Sequence, residues 1–224
     1  MLKLSNKGRL KNIKPNNFLL GFFCFLFFTQ LGYTQKIIQK SWEGSAFEIL
    51  EIISDEVFKI EIITGDFSEI RLHVNITGEN FESMTIGVSE KNKVLTLKPS
   101  FRPFFVPQND KLAAHKMLSI EMTLYLPEQK KVVVDSKLAS LVTKGSFQKL
   151  DVNLRDGTCL LQEFSGNAVV NTQQGDISVF AKPFVYGTAM SKHGKVTNRL
   201  TNIGNYTLKA QSVNGNISLY QSPE

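Results

Sequence analysis

The sequence predicts an all-β protein, in which an N-terminal antiparallel β-sheet region leads into a short, β-helix-like glycine-turn β-solenoid of about five coils. Three observations predict this class. Apolar residues alternate with a period of two through the middle of the chain, a glycine-centred pattern repeats towards the C-terminus, and no helical periodicity is sustained beyond the first residues. The predicted regions are a signal peptide at 1–34, the antiparallel region at 36–131 and the solenoid repeats at 132–224.

Composition places the chain among globular proteins. Its 224 residues are 42% hydrophobic and 21% charged, which argues against wholesale disorder and against a multi-span membrane protein. The formal charge of +6 is misleading, because the first 35 residues contain five basic and no acidic residues, and the remainder contains 21 basic and 20 acidic residues. Nucleic-acid binding needs a basic folded surface, so no nucleic-acid partner is expected.

The N-terminus has the pattern of an export signal. Five positive charges precede the almost wholly apolar run Phe18–Phe28. Eleven residues in a helix rise only about 16 Å, well short of a hydrocarbon core of about 30 Å, so cleavage near Thr34 or Gln35 is predicted. The protein is then exported, to the periplasm or to the outer cell surface. The alternative is an uncleaved anchor, which would be its only contact with a membrane.

The middle of the chain has the pattern of half-buried strands. Apolar residues recur mainly at every second position from Phe47 to Leu126, which predicts five to seven antiparallel strands, with 111–117 as the one plausible helical turn. Three prolines in 99–107 interrupt this pattern and predict a long loop.

The proline-containing segment also supplies candidate contact residues. Phe101, Phe104 and Phe105 are either exposed anchors for a partner or a cover over an open end of the core. His115 is a further candidate contact, and its alternative role is a hydrogen bond that seals the junction between sheet and solenoid.

The C-terminal third repeats itself with offsets of 18, 19 and 21 residues. The repeats align on four predicted turn glycines: Gly157, Gly175, Gly194 and Gly215. Two residues after each glycine, and at the matching place in a degenerate first copy, lies a predicted core column: Leu141, Cys159, Ile177, Val196 and Ile217. A second apolar column precedes the glycines: Val134, Val152, Val170, Ala189 and Ala210.

Such short-period repetition is typical of a solenoid in which each coil stacks on the next. The glycines are expected at corners that need a positive φ. The alternative is a meander of ordinary hairpins that uses the same turns.

The sequence offers no clear catalytic or metal site. Cys159 shares a column with aliphatic residues, so a buried apolar role is favoured over a nucleophile, and a chain cleaved after its signal has no second cysteine for a disulfide. The three histidines lack partners at metal-ligand spacing, so no metal and no cofactor are expected.

The repeated Gly-[Asp/Asn]-Ile-Ser at 175–178 and 215–218, together with the run at 109–116, resembles a bacterial adhesin-like β-solenoid family of unknown function, exported and of Bacteroidetes type. The resemblance covers roughly residues 40 to 222. It implies a cell-envelope β-solenoid and supplies no catalytic residues.

These observations predict a non-catalytic exported envelope protein, an adhesin-like binding or scaffold module. Its expected partner is an envelope protein, a surface polysaccharide or a second copy bound through the open β-edge of the last coil at 217–220. One alternative is an accessory or sensory protein in envelope homeostasis. A polysaccharide-cleaving β-helix enzyme is a weaker alternative, because Asp151, Asp156 and Asp176 fall in different columns and do not form an evident catalytic pair.

Overall fold

The computed structural model describes residues 35–78, 80–103, 105 and 118–223. The strands in these ranges are β1 Gln35–Glu43, β2 Ile49–Ser54, β3 Lys59–Gly65, β4 Glu69–Gly78, β5 Met84–Lys91, β6 Val94–Phe101, β7 Leu118–Pro127, β8 Lys131–Ser136, β9 Ser140–Asp156, β10 Cys159–Gln174, β11 Ile177–Ala181, β12 Val185–Ser191, β13 Val196–Asn198, β14 Tyr206–Ser212 and β15 Ile217–Gln221. Two short 3₁₀ turns occur at Gly44–Ala46 and Phe81–Ser83. The predicted signal, the predicted helical turn, Phe104 and His115 lie outside the described residues.

The strands form one mixed sheet that does not close. One layer has the order β1-β4-β7-β3-β9-β10-β11-β15-β13, and the other has the order β5-β6-β2-β8-β9-β10-β14-β12. The two longest strands, β9 and β10, contribute to both layers. Every described element apart from the two 3₁₀ turns is a strand, so the all-β prediction is confirmed. Apolar side chains of both layers belong to a single buried cluster.

The two long strands bend where they pass between layers. Gly145 and Gly166 adopt φ values of 111° and 133° close to the bends. A Cβ on Gly166 would lie 2.0 Å from the backbone oxygen of Phe147, so no other residue fits there. The rings of Phe147 and Phe164 stack at 6.0 Å and are fully buried at this corner.

Parallel pairing stacks the repeats in register. In one layer the paired residues are, in spatial order, Met122, Ile60, Leu141, Cys159, Ile177, Ile217 and Val196. In the other layer they are Leu97, Ile52, Val134, Val152, Val170, Ala210 and Ala189. We call the strands β2, β3 and β8 to β15 the parallel stack.

The order of the last two repeats differs from the expectation that each coil stacks on the next. The fifth repeat pairs with the third, and the fourth repeat lies outermost. The fourth repeat carries Gly187 and Asn198 opposite Leu208 and Leu219 of the fifth. Because the fifth repeat has the larger apolar side chains, it occupies the interior position. Val196 is consequently 43% exposed, which corrects its predicted place in the core.

This order also moves the open edge of the stack. Ile217 to Leu219 are paired on both sides, so the edge predicted at 217–220 lies instead mainly on β12 and β13. Leu200 folds over the end of the stack, and its side chain reaches the space that a Cβ on Gly187 would fill.

The four predicted turn glycines lie one above another at a corner. A Cβ on Gly175 would lie 2.0 Å from the backbone oxygen of Gly157, and one on Gly215 would lie 1.9 Å from that of Gly175. Of these four corner glycines, Gly157 and Gly175 have a positive φ and the other two do not. The expectation of a positive φ therefore fails at Gly194 and Gly215, where close approach of the neighbouring backbone requires glycine.

A row of hydroxyl groups supports the same corner and escaped the sequence analysis. Ser54, Ser136, Ser191 and Ser212 each accept a hydrogen bond from the backbone N–H three residues later. The Thr172 hydroxyl donates to the carbonyl oxygen of Gly175. The signal was available, since most repeats carry Ser or Thr three positions before the glycine.

The prediction of a purely antiparallel N-terminal region is wrong. Strands β1, β4 and β7 pair antiparallel, as do β5 and β6, but β2 and β3 pair in parallel with strands on both sides. The segment Ile52–Ile60 is a further repeat of the parallel stack. It escaped notice because four strands separate it from the next repeat in sequence.

The predicted loop at 99–107 begins later than expected. Pro99 to Phe101 complete β6, where Pro99 pairs with Ile86 of β5. Strand β6 pairs with β2 only as far as Leu97. Pro99 lacks a backbone N–H, but it lies beyond this pairing, so no hydrogen bond of the described β2–β6 ladder is lost.

Candidate functional site

The candidate site is a shallow groove on the outer face of β1, β4 and β7. Its volume is about 590 Å³, within the range of small-ligand sites. Six of the side chains that line it form two rows of three across the strands: Gln39, His73 and Thr123, then Ser41, Arg71 and Tyr125. Lys40 and Leu72 complete the lining. Each row follows from cross-strand register, because paired residues in an antiparallel sheet point to the same face.

Arg71 is held by two aromatic rings at one end of the groove. Its guanidinium carbon lies 5.2 Å from the ring centres of both Phe67 and Tyr125. The two rings meet edge to face at 5.7 Å and an angle of 82°. A cation on an aromatic face gains about 0.5–1 kcal/mol at an exposed site, so this packing limits the rotamers of Arg71.

The other row carries hydrogen-bonding groups. The Gln39 amide nitrogen lies 3.2 Å from Nδ1 of His73. Since an amide nitrogen donates, Nδ1 accepts, and in this tautomer Nε2 of His73 carries an N–H. The row thus offers an amide, an imidazole N–H and the Thr123 hydroxyl to a ligand.

The charges around the groove are asymmetric. Arg71 lines it, no Asp or Glu occurs among the described lining residues, and Lys40 pairs with the buried Leu72, so its side chain leaves the opposite face of β1. Within the ranges that the structure describes, Arg71 has no hydrogen-bond or ion-pair partner of its own. The nearest acidic residues on this face are Glu69, two positions before Arg71, and Glu121, two positions before Thr123. Glu61 pairs across the sheet with Thr123 and contacts Lys59 at 3.5 Å.

Of the contact residues predicted from sequence, Phe101 and Phe105 are described, and neither lines the groove. Phe101 is half-buried against the core and stacks on Phe105 at 5.2 Å. Sequence analysis did not single out Gln39, Arg71, His73 or Tyr125. Their only sequence signal is that polar residues fill the outward positions of strands whose inward positions are apolar.

Cys159 is a buried thiol in the core. Burial raises its pKa to about 12, so the thiol stays protonated at neutral pH and is a poor nucleophile.

Three acidic residues of the parallel stack have structural partners. Oδ1 of Asp176 accepts from the backbone N–H of Asn216 at 2.7 Å, and Oδ1 of Asn216 accepts from that of Lys195 at 3.0 Å. Asp156 bonds the guanidinium of Arg155 and Asp151 bonds Lys149. Among the described residues, no three His, Cys, Asp or Glu side chains come together in a way that would hold a metal ion.

A second depression, of about 790 Å³, lies beside the bends of the long strands. Phe180 lines it and stacks on Tyr220 at 5.9 Å, and Arg199 lies 5.7 Å from the Tyr220 ring outside the lining. One of its cations is already paired, since Lys144 contacts Glu163 at 2.9 Å. The groove on β1, β4 and β7 is therefore the stronger candidate.

One solved structure shares this fold, and others are similar at lower TM-scores. A "putative cell adhesion protein" from Clostridium sporogenes is 16% identical, with a TM-score of 0.62 over 84% of this chain and 99% of that one. A "putative adhesin" from Bacteroides fragilis matches at 15% identity and a TM-score of 0.40, over 82% and 96% of the two chains. A "putative lipid binding protein" from Parabacteroides distasonis matches at 8% and 0.32, over 83% and 97%. The first similarity shows a common fold.

No protein-family model and no curated protein matches the sequence. Within the described part of the chain, none of the helical segments has the length and apolar character needed to cross a bilayer.

Proposed function

We propose that this protein is a non-catalytic binding module of the cell envelope, and that the groove on β1, β4 and β7 is its contact surface. The observation that carries the proposal is the cluster of Arg71, Phe67 and Tyr125. It presents an oriented guanidinium without a described partner beside a row of hydrogen-bonding groups. The fold shared with a structure named for cell adhesion is consistent with this role.

The scaffold is proposed to wind as a short solenoid. The in-register parallel pairs and the stacked glycine corner support this winding. Such a scaffold holds the groove rigidly, because each level is hydrogen-bonded to the next. The enzyme alternative gains no support from Asp151, Asp156 and Asp176, since each of them has a structural partner.

Export to the periplasm or outer surface is part of the proposal and rests on the sequence of residues 1–34. Cell fractionation with N-terminal sequencing tests it. A mature chain that begins near Gln35 in the envelope fraction is expected, and an intact cytoplasmic chain would contradict export.

The binding role is tested with the purified protein on a glycan array and on immobilised envelope extracts. Tyr125→Ala removes one ring that orients Arg71 and is expected to weaken retention at least fivefold. Phe58→Ala is the matched control, because Phe58 is 60% exposed and lies outside the groove. Equal retention of both variants, or turnover of a bound saccharide, would overturn the proposal.

A further inference from the structure

We propose that the ligand of the groove is a carboxylate-bearing saccharide, a chain that contains uronic acid. This inference rests on the proposed function and names the class of partner. It follows from the chemistry of the two rows and from their spacing.

The anionic group is indicated by Arg71. Its planar guanidinium is fixed by Phe67 and Tyr125, each 5.2 Å away, and this leaves its edge N–H groups to donate outward. Two parallel N–H donors match the two oxygens of a carboxylate, which is the geometry of a bidentate pair.

The saccharide is indicated by the second row. Gln39, His73 and Thr123 lie on three adjacent strands, and together they offer both donors and acceptors. Adjacent strands are about 4.8 Å apart, comparable to the length of one pyranose ring. A sugar chain that runs across the strands therefore meets one polar side chain per monosaccharide unit. Hydroxyl groups are suited to such alternating donors and acceptors.

Neighbouring acidic groups set the limits of the site. Glu69 lies on the same outer face as Arg71 and pairs across the sheet with Glu43. Both lie beyond the lining of the groove and mark one end of it. At the other end Glu61 pairs with Thr123 and Glu121 lies two positions before Thr123, so the carboxylate of the ligand is confined to the Arg71 end. Removing the Glu69 charge is expected to strengthen binding of an anion.

The test compares an oligogalacturonate with the carboxyl-reduced oligosaccharide of the same length, by titration calorimetry on the purified protein. The oligogalacturonate is expected to bind at least tenfold more tightly, with an affinity that falls as salt is raised. Arg71→Gln is expected to remove this preference. Arg71→Lys should recover only part of it, because an ammonium cannot form the bidentate pair. Glu69→Gln should tighten binding of the oligogalacturonate two- to threefold.

The matched control is Arg199→Gln, which removes an arginine stacked on Tyr220 outside the groove. It should leave both affinities unchanged, and the melting temperature of each variant verifies folding. Equal binding of the two oligosaccharides would overturn the inference and leave the proposed function standing. Binding of an acidic peptide without binding of the oligogalacturonate, or a loss caused by Arg199→Gln, would also overturn it. If the array and the envelope extracts retain nothing either, the proposed function fails with it.

Discussion

The parallel stack and the antiparallel strands beside it share the period-two alternation of apolar residues, but they differ in how freely their other positions can vary. In the parallel stack, residues pair in register with their counterparts in the next repeat except at the bends of β9 and β10, so interior positions of successive repeats have similar neighbours. Strands β1, β4 and β7 are free of that constraint on their outer face, and they carry the non-repeating residues Arg71, His73 and Tyr125. Repetition therefore supplies rigidity, and specific chemistry is found where repetition ends.

Among the predicted effects on stability, that of substituting a corner glycine in the parallel stack should be the largest. Gly175→Ala places a Cβ 2.0 Å from the backbone oxygen of Gly157, where only backbone movement can relieve the clash. We expect the free energy of unfolding to fall by more than about 4 kcal/mol, or folding to fail. Urea denaturation followed by circular dichroism measures it.

Gly194→Ala is the control for that prediction. Its Cβ would meet Gly215 at a similar 2.1 Å, but the fourth repeat is outermost and can move away. A cost as large as that of Gly175→Ala would show that the outer repeat is as constrained as the interior.

The core column should show a graded cost along the stack. Leu141 is fully buried, so Leu141→Ala is expected to lower the free energy of unfolding by about 3 kcal/mol through lost burial and a cavity. Val196→Ala, at the exposed end of the same column, should cost less than about 1 kcal/mol. Equal costs would contradict the outermost placement of the fourth repeat.

The hydroxyl row can be tested by one pair of variants. Ser212→Ala leaves the buried N–H of Gly215 without its acceptor at 2.8 Å and should cost about 1–2 kcal/mol. Thr143 is also fully buried, but its hydroxyl has no partner among the described residues. Thr143→Val should therefore be neutral or should stabilise the fold by up to about 1 kcal/mol, measured by thermal denaturation. Destabilisation by Thr143→Val comparable to that of Ser212→Ala would contradict this assignment.

The smallest expected effect is on thiol chemistry. Because burial raises the pKa of Cys159 to about 12, the folded protein should resist a thiol reagent at pH 8, and unfolding in guanidinium should restore reaction. Peptide mapping by mass spectrometry assigns the label to Cys159. Rapid labelling of Cys159 in the folded protein would contradict this, because it would show that the core around the thiol opens to solvent.

The period-two pattern was sufficient to predict strands and their buried faces, since alternation depends on local geometry. The repeat alignment likewise placed Leu141, Cys159, Ile177 and Ile217 in positions that the structure pairs. The alignment did not reveal the repeat at 52–60, because the repeat that pairs with this segment begins about eighty residues later in the sequence. It did not reveal the candidate groove either, because Arg71, Tyr125 and Gln39 come from three distant segments.

The sequence by itself determined the class of structure, the glycine corners and the identity of the apolar columns, because each depends on spacing within a short segment. Only the tertiary structure decided that the fifth repeat lies inside the fourth, since that order depends on the competition of Leu208 and Leu219 with Gly187 and Asn198 for one buried place. It also decided where the groove lies. A surface that joins three strands is a property of their pairing, and pairing depends on contacts between residues that are remote in sequence.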